Sequence, residues 1–216
     1  MENILVIGAH YDDAELGAGG TMAKLVSQGK KVYKMTLTDN ETHFDKRKIH
    51  VNYKDSCIES ANACKVLGVT EVLDVPLMPC TELLFNKKQM QFIEAFIFEN
   101  QIDTILLHNM FDIQQDHVHA ATISYVAGRY CKRILAYQSN KYILPIDYYP
   151  RFFVDITDSI DKKIEALNCY GSSHNRYSQL FDMTIKQNRV WGFQSTMQNE
   201  EAYAEAFTVI KYVDKL

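Results

Sequence analysis

Residues 4–15 read Ile4-Leu5-Val6-Ile7-Gly8-Ala9-His10-Tyr11-Asp12-Asp13-Ala14-Glu15. The aliphatic run at 4–7 is short and bounded by glycine, as a strand buried in a parallel sheet would be. Directly after it, one imidazole and three carboxylates crowd into six residues. Working outward, residues 17–28 are predicted as a helix stopped by Gly29, and residues 31–37 as a second strand. Further strands are expected at 72–75, 104–107 and 134–137. Between them fall a long helix ending at Leu67, with Gly68 as a left-handed C-cap, a helix around 87–99 and another over 117–130. Short β-branched runs alternating with amphipathic helices make the fold α/β, a Rossmann-like three-layer α/β/α sandwich with a mostly parallel sheet. The last third carries Pro145, Pro150 and four tyrosines between 137 and 149, which marks an extended stretch along the surface. Helices are predicted after it at 158–170 and 200–211, and this C-terminal extension would wall one side of a cleft.

At 216 residues the chain is a little over one typical domain length of roughly 150, and it shows no linker, repeat or charge block, so 1–216 is read as one domain. With 23 basic against 27 acidic residues there is no basic footprint for nucleic acid or anionic membrane. Five cysteines without a C-x-x-C pair suggest neither a disulfide framework nor a thiolate zinc knuckle, and fit a reducing cytoplasm. No apolar run approaches the roughly 20 residues of a membrane span, and residues 4–7 are too short for a signal core. The expectation is an unexported cytoplasmic protein, with homo-oligomerisation left open.

Ligands of open parallel sheets bind beyond the carboxyl ends of the strands, which directs attention to the loops there. Carboxylates crowded at a strand end are costly unless positive charge neutralises them, and a divalent metal does so. His10 and Asp13 can converge on one ion, leaving Asp12 free as a base; the plainer alternative is a loop in which Asp12 or Asp13 caps the following helix. Gly17, Gly19 and Gly20 do not make a dinucleotide turn, because acidic side chains occupy the place of a pyrophosphate. After the fourth strand, Asp112-Ile113-Gln114-Gln115-Asp116-His117-Val118-His119 brings more imidazoles to the same edge. His117 would complete a two-histidine, one-carboxylate site suited to Zn²⁺ or Fe²⁺. Asp116 reads as a carboxylate that caps or orients catalytic groups, and His119 as lining the cleft or packing.

These residues resemble a known family. Ala9-His10-Tyr11-Asp12-Asp13-Ala14-Glu15 is similar to the A-H-P-D-D-x-E signature of the LmbE-like, or PIG-L, de-N-acetylases, and residues 112–117 resemble their D-x-H-x-D-H motif. Residues 154–157, 163–167 and 204–207 continue the likeness nearly to the end of the chain. The resemblance implies a zinc-dependent hydrolase that removes an acetyl group from an amino-sugar substrate or a conjugate carrying one. His10, Asp13 and His117 match the metal ligands, and Asp12 the general base. The chain departs from the pattern where Gln114 replaces a histidine or asparagine: glutamine can donate to an oxyanion but cannot shuttle a proton. Asp12 would then act twice, or His43 or His119 would supply the second acid. Tyr11 replaces the usual proline and is expected to place a phenol at the cleft mouth. In the second helix Ser56 stands at the arginine place of the family's R-x-x-E pattern, of which only Glu59 is kept, and Ser172-Ser173 replaces a S-Q pair.

For substrate contacts the C-terminal third offers Tyr142, Tyr148, Tyr149, Arg151, Arg189 and Trp191, with Arg151 suited to a phosphate or carboxylate on a nucleotide sugar. Two rival functions share the sequence: a zinc amidase that cuts another acyl group or a thiol-sugar conjugate, and a non-catalytic module that binds a sugar or nucleotide.

Overall fold

The computed structural model describes residues 1–47, 49–144, 150–196 and 199–214; the side chains of 44, 47, 49 and 172–178 lie outside that description, as do Tyr148 and Tyr149. The chain runs β1 (Asn3–Gly8), α1 (Asp13–Ser27), β2 (Lys31–Thr36), a hairpin of β3 (Thr42–Phe44) and β4 (Ile49–Val51), α2 (Tyr53–Leu67) and β5 (Thr70–Glu71). It continues through α3 (Lys87–Glu99), β6 (Thr104–His108), α4 (Gln115–Ala127), β7 (Arg133–Tyr137), β8 (Phe152–Asp155), α5 (Ile160–Leu167), α6 (Gly171–Thr196) and β9 (Ala204–Tyr212).

Seven strands form one sheet in the order β5-β2-β1-β6-β7-β9-β8, and the five from β5 to β7 are parallel. Strand alternation divides the opening aliphatic run between two cores: Ile4 and Val6 pack under α1, α2 and α5, whereas Leu5 and Ile7 pack under α3 and α4. The sheet is therefore covered on both faces, as the sequence predicts. Chain order reverses between β1 and β6, since β1 leads to β2 on one side while β6 lies on the other. A crevice at their carboxyl ends follows from that switch point. Helix α1 runs close over the sheet because Gly17 lacks a side chain: a Cβ there would sit 2.1 Å from the Tyr137 ring. Gly68 ends α2 at φ 73° with its N–H on the Lys65 carbonyl, the left-handed cap expected of it.

Four local expectations are corrected. The third strand lies at Thr70–Glu71 rather than 72–75, because Val72 makes a last bond to the Lys34 carbonyl and Asp74, at φ 60°, turns the chain away. Residues 158–170 split into a 3₁₀ turn and the shorter α5. Tyr137 does not lie on the surface; it ends β7 fully buried, its hydroxyl donating to the Ile7 carbonyl at 2.7 Å. Residues 200–211, predicted helical, hold all of β9 but its last residue. Ala204-Glu205-Ala206 favours a helix, but Thr208-Val209-Ile210 does not, and partners on both flanks decide the matter. Residues 204–207 pair antiparallel with β8, and 208–212 with β7.

Placing β9 there also creates a buried ion pair. Glu205 accepts from the Lys163 ammonium at 2.6 Å and from the backbone N–H groups of Gly20 and Thr21 at 3.0 and 2.7 Å. The C-terminal strand is thereby bonded to the helix that follows the His10–Asp13 loop. No described helix is long and apolar enough to cross a membrane.

Candidate metal centre

The loop after β1 and the start of α4 meet at the switch point. Asp13 is the first residue of α1, and its Oδ2 accepts from the His10 N–H at 2.7 Å, folding the loop back on itself. His117 lies in the first turn of α4, whose cap is the Gln114 side chain: its Oε1 accepts from the His117 N–H at 2.8 Å. The helix is thus capped by Gln114 rather than by Asp116.

Three side chains from these segments converge. His10 Nδ1 lies 3.3 Å from Asp13 Oδ2, His117 Nε2 lies 3.3 Å from Asp13 Oδ1, and the two ring nitrogens are 3.3 Å apart. A tetrahedron with ligand bonds of about 2.0 Å has edges of about that length, so the donor set has the size of a zinc or iron site. Each imidazole turns its other nitrogen to a carboxylate. His10 Nε2 is 3.0 Å from Asp116 Oδ2, and His117 Nδ1 is 2.9 Å from Asp112 Oδ2. Asp116 is held in turn by the N–H groups of Thr81 and Leu83 at 2.7 and 3.2 Å. Carboxylates behind both rings orient the free nitrogens towards one point, the usual support of metal-binding histidines.

The electrostatics favour a cation there. Burial lowers the basicity of His10 and His117, yet the surrounding carboxylates outweigh it. Asp116 and Asp13 hold His10 well above the ordinary imidazole range, and Asp13 and Asp112 hold His117 up to about 9. Burial first, and the charge of Asp13 second, push Asp12 up to about 6. Asp12 occupies the N-cap position of α1 but makes no side-chain cap bond, so its carboxylate is not consumed in holding the helix.

Two residues at the site escaped sequence reasoning. His108 ends β6 fully buried, its Nε2 3.1 Å from Asp13 Oδ2 and its ring stacked on His117 at 4.0 Å between centroids. Burial first, and the proximity of His117 second, keep it uncharged, down to about 4. Its position as the last residue of the strand beside β1 was the available signal. Cys80, which no local pattern marks, has its thiol within 4.8 Å of donor atoms of His10 and Asp116.

A fourth feature holds the loop from beneath. The Lys34 ammonium, fully buried on β2, shares its three N–H groups among four acceptors: the Tyr11 carbonyl at 2.5 Å, Glu15 Oε1 at 2.7 Å, the Tyr170 hydroxyl at 2.8 Å and the Ser60 hydroxyl at 2.9 Å. The acidic residue that closes the opening motif therefore serves a buried ion pair rather than the His10–Asp13–His117 cluster. Tyr11 itself lines a cavity together with Thr36, Tyr53 and Cys57. Its ring is buried and its hydroxyl lies 3.5 Å from the Cys57 thiol, because the carbonyl held by Lys34 turns the side chain towards α2.

The remaining candidates are placed elsewhere or less directly. His43 is exposed on β3, with its ring against His50 and Glu41. His119 is half-buried on α4, two positions past His117 and so turned from the cluster. Ser56 is buried and accepts from the Asn40 side-chain amide at 2.9 Å. Arg189 bonds Glu201 and Tyr203 within the C-terminal segment, Trp191 stacks against Lys141, and Tyr142 and Arg151 are exposed.

Residues 5–127 match the model of the PIG-L family, described as GlcNAc-PI de-N-acetylase. The chain is 28% identical over 178 residues to an uncharacterised deacetylase, YaiS, of Escherichia coli, covering 79% of this chain and 91% of that one. It is 23% identical over 188 residues to the diacetylchitobiose deacetylase of Thermococcus kodakarensis, covering 80% and 70%. Among solved structures, GalB, the 4-carboxy-2-hydroxymuconate hydratase of Pseudomonas putida, superposes over the whole of both chains with a TM-score of 0.80 at 20% identity, a likeness of fold.

Proposed function

The chain belongs to the PIG-L family of de-N-acetylases, and from that membership we propose that it is a metal-dependent hydrolase that removes an N-acetyl group from an amino-sugar substrate. The observation that carries this reading is the convergence of His10 Nδ1, His117 Nε2 and Asp13 at mutual distances of 3.3 Å, each imidazole backed by a carboxylate. These three residues would hold Zn²⁺, with Fe²⁺ the alternative for the same donors. When bound, the metal acts as a Lewis acid on the amide carbonyl and lowers the pKa of water towards 7. Asp12 takes a proton from the attacking water, whose oxygen bonds to the amide carbon. The carbon–nitrogen bond then breaks and the amine nitrogen receives a proton, returned by Asp12. Gln114 caps α4 through its Oε1, which leaves its amide hydrogens to face the carbonyl oxygen as negative charge develops. Asp116 acts through His10, by fixing that ring.

The first test is metal content beside acetate release from N-acetylated amino sugars. We expect about one zinc or iron per chain, falling sharply in His10→Ala and in Asp13→Ala, with activity falling in parallel. A parent that takes up neither Zn²⁺ nor Fe²⁺ would sink the mechanism and leave the binding-module reading. With Asp12 both taking and returning the proton, His43→Ala and His119→Ala are each expected to change turnover by less than about threefold. A hundredfold fall in either would identify that histidine as the missing acid.

A further inference from the structure

The β3–β4 hairpin, a two-stranded sheet of its own, carries a second pair of imidazoles that share no ligand atom with the triad. His43 and His50 are directly opposite in the antiparallel register. Their Nδ1 atoms face each other at 3.2 Å, with ring centroids 5.5 Å apart. That separation is again close to the edge of a coordination tetrahedron for imidazole nitrogens. The far nitrogen of His43 lies 3.3 Å from Glu41 Oε1, so a carboxylate backs this ring as Asp116 backs His10. A proton donated to Glu41 leaves the Nδ1 lone pair of His43 facing its partner. Both rings are exposed on the hairpin, where a cation can keep water as its remaining ligands.

We propose that His43 and His50 form a second, open metal site that takes divalent transition metals with an affinity for imidazole, Cu²⁺ most tightly and Ni²⁺ and Zn²⁺ after it. Neither ligand has to be deprotonated from its neutral form, and no buried charge is created. The alternative use of the same geometry is a plain histidine–histidine hydrogen bond, with one Nδ1 carrying a proton towards the other. The two differ in what the protein takes from solution. A metal bridging His43 and His50 also clamps β3 to β4, so the amides of residues 42–44 and 49–51 should exchange more slowly on binding.

The test is a titration of Cu²⁺, and separately Ni²⁺, into the zinc-loaded protein, followed by calorimetry and, for copper, by the nitrogen splitting in its electron paramagnetic resonance spectrum. We expect one further equivalent in the parent, two-nitrogen splitting, and slower amide exchange over 42–44 and 49–51. In both His43→Ala and His50→Ala that equivalent and the exchange protection should disappear, while His119→Ala keeps them. His43 and His50 are exposed and His119 is only half-buried, so unchanged circular dichroism is expected in all three. Equal uptake by the parent and His50→Ala, or uptake without two-nitrogen splitting, overturns the proposal. Should the triad hold no metal, the hairpin equivalent would remain, sensitive to His50→Ala and indifferent to His10→Ala, so failure of one site is distinguishable from failure of the other.

Discussion

Asp12→Asn is expected to lower the turnover number by about 100- to 10,000-fold while leaving about one metal per chain. Asparagine keeps the size of the side chain and loses only the capacity to take a proton. The position tolerates the change structurally, because the Asp12 carboxylate does not cap α1 and the cap geometry belongs to the backbone. The metal-binding set loses no donor, since His10, Asp13 and His117 are untouched. Loss of turnover with metal retained therefore isolates the base from the metal, which no variant of the triad can do. A variant that keeps more than about a tenth of parental turnover would remove Asp12 from the proton path, and a protein that only binds its ligand would be indifferent to the change.

Lys34→Met is the substitution with the largest expected effect on stability, about 3–5 kcal/mol by denaturant unfolding. The lysine is fully buried and bonds Glu15, the Tyr11 carbonyl, Ser60 and Tyr170. Removing it strands the Glu15 carboxylate away from water and leaves the Tyr11 carbonyl with the Tyr170 hydroxyl alone. Much of the loss is the cost of an unpaired charge rather than the worth of the pair, so Lys34→Met with Glu15→Leu should recover a large part of it. The Tyr11 carbonyl lies between His10 and Asp12, and turnover in the single variant should fall further than its folded fraction. A loss below about 1 kcal/mol would mean that the pair is worth little and that the loop is held by other bonds.

The opening stretch reads clearly because its information is local. Four aliphatic residues alternate between two cores, Gly68 ends α2 where only a left-handed residue fits, and α3 spans the 87–99 predicted for it. The convergence of His10, Asp13 and His117 was legible for a related reason: strand order places loop ends at a common edge, and the residue types there match one chemistry. Illegible features depend on partners distant in the chain. His108 contacts Asp13 across 95 positions, and Lys34 reaches Tyr170 across 136. In sequence these residues look like a strand end and an ordinary basic residue on a strand. The C-terminal third shows the same limit in backbone form. Ala204-Glu205-Ala206 has no local reason to be extended, and becomes so because β8 supplies hydrogen-bond partners and α1 presents two N–H groups to Glu205.

By itself, then, the sequence determined the parallel α/β core and the strand-end loops on which His10, Asp13 and His117 meet, since periodic burial and turn chemistry act between near neighbours. Tertiary structure alone decided the antiparallel edge of the sheet, the buried lysine beneath the motif, the histidine stacked behind the triad and the facing imidazoles of the hairpin. Those are matters of distance between segments, and hydrogen bonds and ion pairs are made or lost within about an ångström.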